Sequence, residues 1–417
     1  MTKHLRFSLI ALLLLAVPGA KADFVADGLH YNLNSDGTAT VIANSDYKNM
    51  ASVIVPASVT AAGKDYRVTS LADSCFLDCE MLTSINIANS VTTLGNNCFR
   101  FCSNLTSVGL PSSLTKVGNY CFAYCSKLPS IVLPNSVTEL GTSCFSYCTG
   151  LSSITLSNSI KSLKYSCFYS CTSLKSIDIP SSVTKLGFWC FWGCTSLTSV
   201  NLPSSVTELG TSCFAGCTSL ASIDIPGSVT QLGEECFKGC SGLASLTLQE
   251  GVNMVGYDCF RGCTSLASVN LPSSVTKLEE DCFKGCTSLN TVTCSATTPP
   301  TCGSTTRSAF TDEASKTLYV PSACVDAYKD AQGWKAFGNI LPIVATGLNS
   351  VGSNGFMLTS QNGTVTLTGV PSEMPVSVYS INGALIGSGK GNMSINADRG
   401  QVVVVKAGSK SCKLLVK

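Results

Sequence analysis

Two residue types frame the chemistry open to this chain: it carries 24 cysteines and two histidines. Thiols can pack as small apolar groups, join as disulfides, or converge as thiolates on a metal. Twenty of them come in ten pairs, a Cys-Phe with a second cysteine four positions after the first, from Cys75 and Cys79 to Cys282 and Cys286. A metal needs thiolates that meet at one point, and this recurrence suits a packing position better. Equivalent cysteines in stacked turns come within bridging distance, but ladder side chains lie alongside one another rather than face to face. Core thiols are therefore expected in the repeat. Cys294, Cys302 and Cys324 lie off its frame and are the stronger bridging candidates.

Acid–base chemistry is just as restricted. His4 stands in a segment expected to be removed, which leaves His30, with Asp27 and Asp36 near it in sequence. Neither spacing matches a catalytic arrangement, so a surface position is expected. Gly387-Ser-Gly-Lys-Gly391 resembles a phosphate loop only superficially: Ala384 stands where the spacing requires glycine, and Gly391 where it requires Ser or Thr. No catalytic residue, metal ligand or cofactor is assigned, and the chain reads as non-enzymatic. Charged residues make up 12% with a net charge of +2, so no nucleic-acid footprint is expected. An apolar content of 45% excludes a disordered chain.

Binding energy calls for aromatic anchors, and these are unevenly placed. Between the paired cysteines stand Phe101, Tyr124, Tyr147, Tyr169 and Trp192, in five consecutive copies. Tyr120, Tyr165, Phe188 and Trp189 lie one or two residues before the same pairs. These rings either lie flat over the cysteine wall as partial core or form a recognition surface. In later copies Lys238, Arg261 and Lys284 follow Glu235, Asp258 and Asp281 by three residues, a spacing suited to weak local ion pairs.

The elements that position these residues are repeats. Cys-Phe recurs every 23 residues from 75 to 282 without insertion, and leucines keep phase from Leu82 to Leu289. A fixed period of this length with a leucine frame means a solenoid. In one copy, Leu197-Thr-Ser-Val-Asn-Leu202 sets Val200 and Leu202 on one face and Ser199 and Asn201 on the other, the alternation of a half-buried strand. Pro203 ends the strand, Val206 and Leu209 return to the core, Gly210 is expected to permit the bend, and Cys213-Phe214 closes the opposite wall. Coils must stack through parallel strands about 4.8 Å apart, so ten of them make a rod about 50 Å long with the phenylalanines as a spine. The outward strand positions, Ser84 to Thr291, are Ser or Thr in every copy and offer few anchors.

The flanks differ. Lys3 and Arg6, the apolar run from Phe7 to Val17 and Ala20-Lys21-Ala22 read as a secretory signal peptide over 1–22. No later apolar run is long enough to span a bilayer as a helix. Residues 23–67 read as an amino-terminal cap, 68–295 as the array and 296–343 as its carboxy-terminal cap. In that last cap Leu318-Tyr-Val-Pro321 is a final strand and Ala323 to Phe337 a short helix. Residues 344–417 form a separate β-sandwich, with a strand from Val376 entering the Asn382-Gly383 hairpin and further strands at Gly400 to Lys406 and Lys413 to Lys417.

The repeat, with its Pro-x-Ser-Val-Thr-x-Leu-Gly turn, Phe-x-x-Cys and Leu-x-x-Ile-x-Ile, resembles the BspA-like leucine-rich repeats of bacterial surface proteins over about residues 50–295. That family usually has Ala before the Phe, and here all ten copies have Cys. The tail resembles the carboxy-terminal sorting domain recognised by type IX secretion, in its Ile-Asn-Gly turn and Lys-x-x-Val-Lys end. The resemblance implies a leucine-rich repeat solenoid followed by a small all-β domain, exported to the cell surface through the type IX machinery. It implies adhesion to host matrix proteins, glycans or other bacteria; the rival readings are a ligand-free spacer and an enzyme. The nine aromatic residues above are the expected partner-binding site.

Overall fold

The computed structural model describes residues 23–343 and 357–415, apart from 305, 362, 381, 382, 399, 400 and 409. The signal segment, Ile381, Asn382, Gly400, Val416 and Lys417 lie outside the described residues. The chain divides into two compact units, 1–341 and 342–417.

The first unit is a parallel β-solenoid. Each repeat contributes a strand of three or four residues, such as Ser199–Asn201, and a two-residue strand, such as Glu208–Leu209. Both pair in parallel with their equivalents one coil away, Ser176 with Ser199 and Lys185 with Glu208. The amino-terminal segment seeds both sheets: Ser52–Val55 pairs with Ser84–Ile87, and Lys64–Leu71 with Thr93–Leu94. Ahead of these, Asp23–Ala26, Leu29–Leu33 and Thr38–Val41 form an antiparallel meander.

The third side of each coil, carrying Cys-Phe, has no strand but is bonded just as regularly. Phe99 N–H donates to the Cys121 carbonyl at 2.7 Å and Phe122 N–H to that of Cys144 at 2.8 Å, one coil on in each case. Inside this wall the phenyl rings from Phe76 to Phe310 stack with centroids 5.1–5.5 Å apart and planes within 12° of parallel. The spine outruns the ten repeats. Tyr47 continues it at the front, 5.0 Å from Phe76, and Phe310 at the back, where Trp334 and Phe337 close it.

The second cysteine of each pair has a physical reason to be there. From Cys102 to Cys286 its thiol donates to the phenylalanine carbonyl of the preceding coil at 3.0–3.4 Å. That carbonyl already accepts the N–H of the cysteine in its own coil, as Phe99 does from Cys102 at 3.1 Å. Sulfur thus fills a small apolar site and satisfies a second lone pair. The 23 cysteines from Cys75 to Cys324 are free thiols, Cys294, Cys302 and Cys324 included. Cys294 instead receives the Tyr328 hydroxyl at 3.2 Å.

Gly210 serves a purpose other than bending. A Cβ there would lie 2.5 Å from the backbone nitrogen of Phe188 one coil before, so the glycine permits close stacking of coils. At the carboxy-terminal end the helix is shorter than the pattern predicts, Val325–Asp330, and Gly333 at φ 80° turns the chain into Trp334. A strand follows Thr317–Pro321 that the sequence did not betray, Asn339–Ile343.

The second unit holds two antiparallel sheets. One orders Met357–Gln361, Thr364–Thr368 and Met393–Asn396; the other Leu385–Lys390, Pro375–Ser380, Val402–Ala407 and Lys410–Leu415. Val365, Leu367, Val376, Val378, Val403 and Val405 form their common core.

Candidate functional site

The Cys-Phe wall imposes one backbone demand on every coil. The residue before the first cysteine has φ between 52° and 58° in all ten repeats, from Ser74 to Asp281. A second left-handed residue follows one position before the second cysteine in every repeat. In the last five repeats that residue is glycine, from Gly193 to Gly285, the low-cost solution. In the second, third and fourth it is Phe101 at 64°, Tyr124 at 64° and Tyr147 at 59°. Tyr120 at 53° and Trp189 at 56° occupy the first left-handed site. Each such residue costs about 1–2 kcal/mol against a right-handed conformation. Bulky residues held there are an outlier that points toward function.

These side chains meet. Phe101, Tyr124, Tyr147, Tyr169 and Trp192 form one continuous stack with centroid separations of 4.7, 4.5, 5.2 and 4.7 Å. The stack changes column midway: the first three rings stand three residues after their cysteine, the last two only two after theirs. Arg100 covers the near end, its guanidinium 4.8 Å from the Phe101 ring and 5.2 Å from that of Tyr120. Trp189 joins from the side, 5.4 Å from Tyr165 and 6.5 Å from Tyr169. Burial among neighbouring rings pushes the Tyr124 and Tyr169 phenols up. Phe188 stands apart from the stack and lies over Gly210. Phe101, Tyr120, Tyr165, Phe188, Trp189 and Trp192 are exposed; Tyr124, Tyr147 and Tyr169 are half-buried. The surface is therefore a ridge of packed ring edges. Arg100 was not singled out in the sequence, although it occupies the same place in its repeat as Tyr169 and Trp192.

The charged band is not a set of loose surface pairs. The Asp258 and Asp281 side chains are only 2% and 6% exposed. Lys238 bridges Glu235 at 2.6 Å and Asp258 of the next coil at 2.9 Å, and Arg261 meets the same Asp258 at 3.1 Å. The hydrogen bond from Lys238 holds the Glu235 carboxyl below its usual range. Arg307 closes the row on Asp281.

His30 pairs with neither Asp27 nor Asp36. The register of the first hairpin sets Asp23 diagonally across from it, with Nδ1 at 3.1 Å from the carboxylate. Its backbone N–H donates to the Tyr47 hydroxyl at 2.7 Å, so the group anchors the front of the spine. Among the described residues no cluster of three His, Cys, Asp or Glu could hold a metal, and no helix is long and apolar enough to cross a membrane.

Residues 69–198, 161–290 and 210–331 match the profile of the BspA type leucine rich repeat region, with six copies. Among solved structures, a leucine rich cell surface protein from Faecalibacterium prausnitzii is 24% identical, covering 78% of this chain and 95% of its own, with a TM-score of 0.43. A leucine-rich repeat protein from Bacteroides ovatus is also 24% identical over 77% of this chain and 100% of its own, with a TM-score of 0.39. The pneumococcal vaccine antigen PcpA is 17% identical over 77% of this chain and 98% of its own, with a TM-score of 0.47. None of the curated proteins matches the chain.

Proposed function

The chain belongs to the BspA-type leucine-rich repeat family, and on that premise we propose that it is an exported, non-enzymatic surface protein whose solenoid presents the aromatic ridge to a host matrix protein or to another bacterium. The observation that carries this reading is the five-ring stack, three of whose rings, Phe101, Tyr124 and Tyr147, are held at left-handed positions that later repeats give to glycine. Side chains retained at such cost, with exposed edges, supply contact area at low entropic expense. The Ser and Thr column of the opposite sheet offers small hydroxyls and no comparable anchor. Delivery by the type IX machinery through the tail, residues 344–417, belongs to the same proposal.

The test immobilises host matrix proteins and whole bacterial cells and measures capture of residues 23–417. Replacing Tyr169, Trp189 and Trp192 with Ala is expected to abolish capture while circular dichroism is unchanged. A control carrying Lys at Ser153, Ser176 and Ser199 is expected to bind normally. Loss of capture in the control alone would move the site to the sheet face, and capture by neither protein would leave a spacer. Deleting residues 400–417 is expected to hold the protein in the periplasm with its solenoid folded; normal surface display would reject the type IX route.

A further inference from the structure

An open trough lies on the side of the solenoid built by the two-residue strands. The residue after each core Leu or Val there is glycine in seven of the ten repeats, with Ala72, Lys164 and Glu279 in the others. The spacing of coils imposes this: a Cβ on Gly256 would lie 2.6 Å from the Leu232 carbonyl, and one on Gly233 3.0 Å from that of Leu209. Stacked glycines leave a strip of bare main chain. Between the side chains that flank it runs an open trough of about 770 Å³.

One wall of the trough is the outward row of the short strands, Glu208, Gln231 and Met254. The other is the row two residues before each cysteine, Thr211, Glu234 and Tyr257. Side chains stop both ends. Phe188 lies over Gly210, its Cδ1 2.6 Å from where a Cβ would stand, and Glu279 fills the glycine position beyond Gly256. Most of the charge is neutralised locally, Glu208 by Lys185 at 2.8 Å and Glu279 by Lys277 at 2.6 Å. Glu234 and Gln231 are exposed, and among the described residues neither side chain has a partner.

We propose that this trough binds a short stretch of an unbranched, neutral polysaccharide. Its polar groups recur with the coil repeat of about 4.8 Å, close to the length of one pyranose unit in an extended chain. Three coil steps from Glu208 to Glu279 span about 15 Å, room for about three units. The free carboxylate of Glu234 and the amide of Gln231 offer acceptors and donors to hydroxyls. The Met254 thioether and the Tyr257 ring, over which the Arg307 guanidinium lies 5.4 Å from the centroid, offer the apolar surface that sugar C–H faces require. The bare floor lets the chain lie against the backbone.

Other occupants fit less well. A peptide would add as a strand only at an open sheet edge, whereas these strands run across the trough with their backbone bonded coil to coil from Ser162–Leu163 to Thr301–Cys302. A folded protein needs anchor pockets that this polar wall lacks. Paired charges favour neither polyanion nor polycation. The trough is independent of the aromatic ridge, since none of the five stacked rings lines it.

The experiment titrates residues 23–417 by calorimetry with short cello-, xylo-, laminari- and chito-oligosaccharides. At least one of them is expected to bind. Gln231→Ala combined with Glu234→Ala is expected to weaken that binding by tenfold or more, since losing a hydrogen bond to a charged group is worth about 1.5–3 kcal/mol and about 1.4 kcal/mol is tenfold. Both side chains are exposed, so thermal unfolding should not change. Tyr169→Ala with Trp192→Ala should leave the affinity intact. Silence toward all four sugars, undiminished binding in the trough variant, or binding lost only in the ring variant would each overturn the proposal.

Discussion

The second to sixth repeats and the last four share one backbone and use it differently. Both hold the phenylalanine spine at the same spacing, the same two left-handed residues per coil and the same thiol-to-carbonyl bonds. Outside that common frame, the earlier coils stack Tyr, Phe and Trp, whereas the later ones carry glycine beside a row of ion pairs around Asp258 and Asp281. The later coils show that the fold needs no ring at these places. What the rings add is surface, and what the buried carboxylates add is a tie between coils.

The shared frame should respond in both halves, and the largest effect is alkaline. Burial pushes the Cys148 and Cys194 thiols of the earlier coils up to about 12, and raises those of Cys213 and Cys259 in the later coils too, from about 9 in the unfolded chain. As pH rises above 9 the unfolded state loses these protons first and so binds fewer than the folded state. Stability is therefore fully present below pH 9 and falls as pH climbs from 9 to 12, by up to about 1.4 kcal/mol per pH unit for each thiol. Urea midpoints measured across that window should drop steeply. Alkylation mass spectrometry under denaturing, non-reducing conditions should find the repeat cysteines free. A flat alkaline limb, or coils crosslinked throughout, would contradict the burial of free thiols.

Next in size, Phe168→Ala in the aromatic half and Phe260→Ala in the charged half should each cost about 3–5 kcal/mol, with the damage spreading to neighbouring coils. Calorimetry showing a loss in one half only would mean that the spine is not uniform.

Asp258→Ser installs the residue found at Ser143, Ser166 and Ser212, and it should cost about 1–2 kcal/mol. The carboxylate is buried, but its partners Lys238 and Arg261 are about two-fifths exposed, which screens the pair. The loss should shrink at high salt. No loss at low salt would return this band to loose surface pairs.

Smallest are the left-handed sites themselves. Gly262→Ala meets only ordinary van der Waals contact, with the nearest atom 3.8 Å away, so it isolates the backbone cost of about 1–2 kcal/mol. Tyr124→Gly relieves the same strain while losing stacking worth about 0.5–1.5 kcal/mol, and should leave chemical denaturation almost unmoved. A loss as large as that of Phe168→Ala would make the stack core rather than surface.

Much of this was legible from residues and their spacing. The inward run Ile177, Leu186 and Phe168, the outward Ser176 and the solenoid class all follow from the 23-residue period and the alternation within one coil. The spine's ends were not legible: Tyr47 and Phe310 lie outside the Cys-Phe frame, and only stacking identifies them. Arg100 escaped notice because nothing in sequence says a guanidinium will cover two rings. His30 was set beside the wrong aspartates, since strand register, not chain proximity, chose Asp23.

What the sequence determined by itself was everything decided within one coil. Which side chains turn inward follows from local backbone geometry, and the repetition of the pattern made that geometry unmistakable. Only the tertiary structure decided what happens between coils. There the ring stack passes from one column to another at Tyr169, Asp258 sinks into the wall between two cations, and the glycine row opens a trough. Apart from that of Arg261 with Asp258, these contacts join residues about one full coil apart in the chain. Their distances depend on how closely two turns of backbone approach and how wide side chains share that space, neither of which is written in the period.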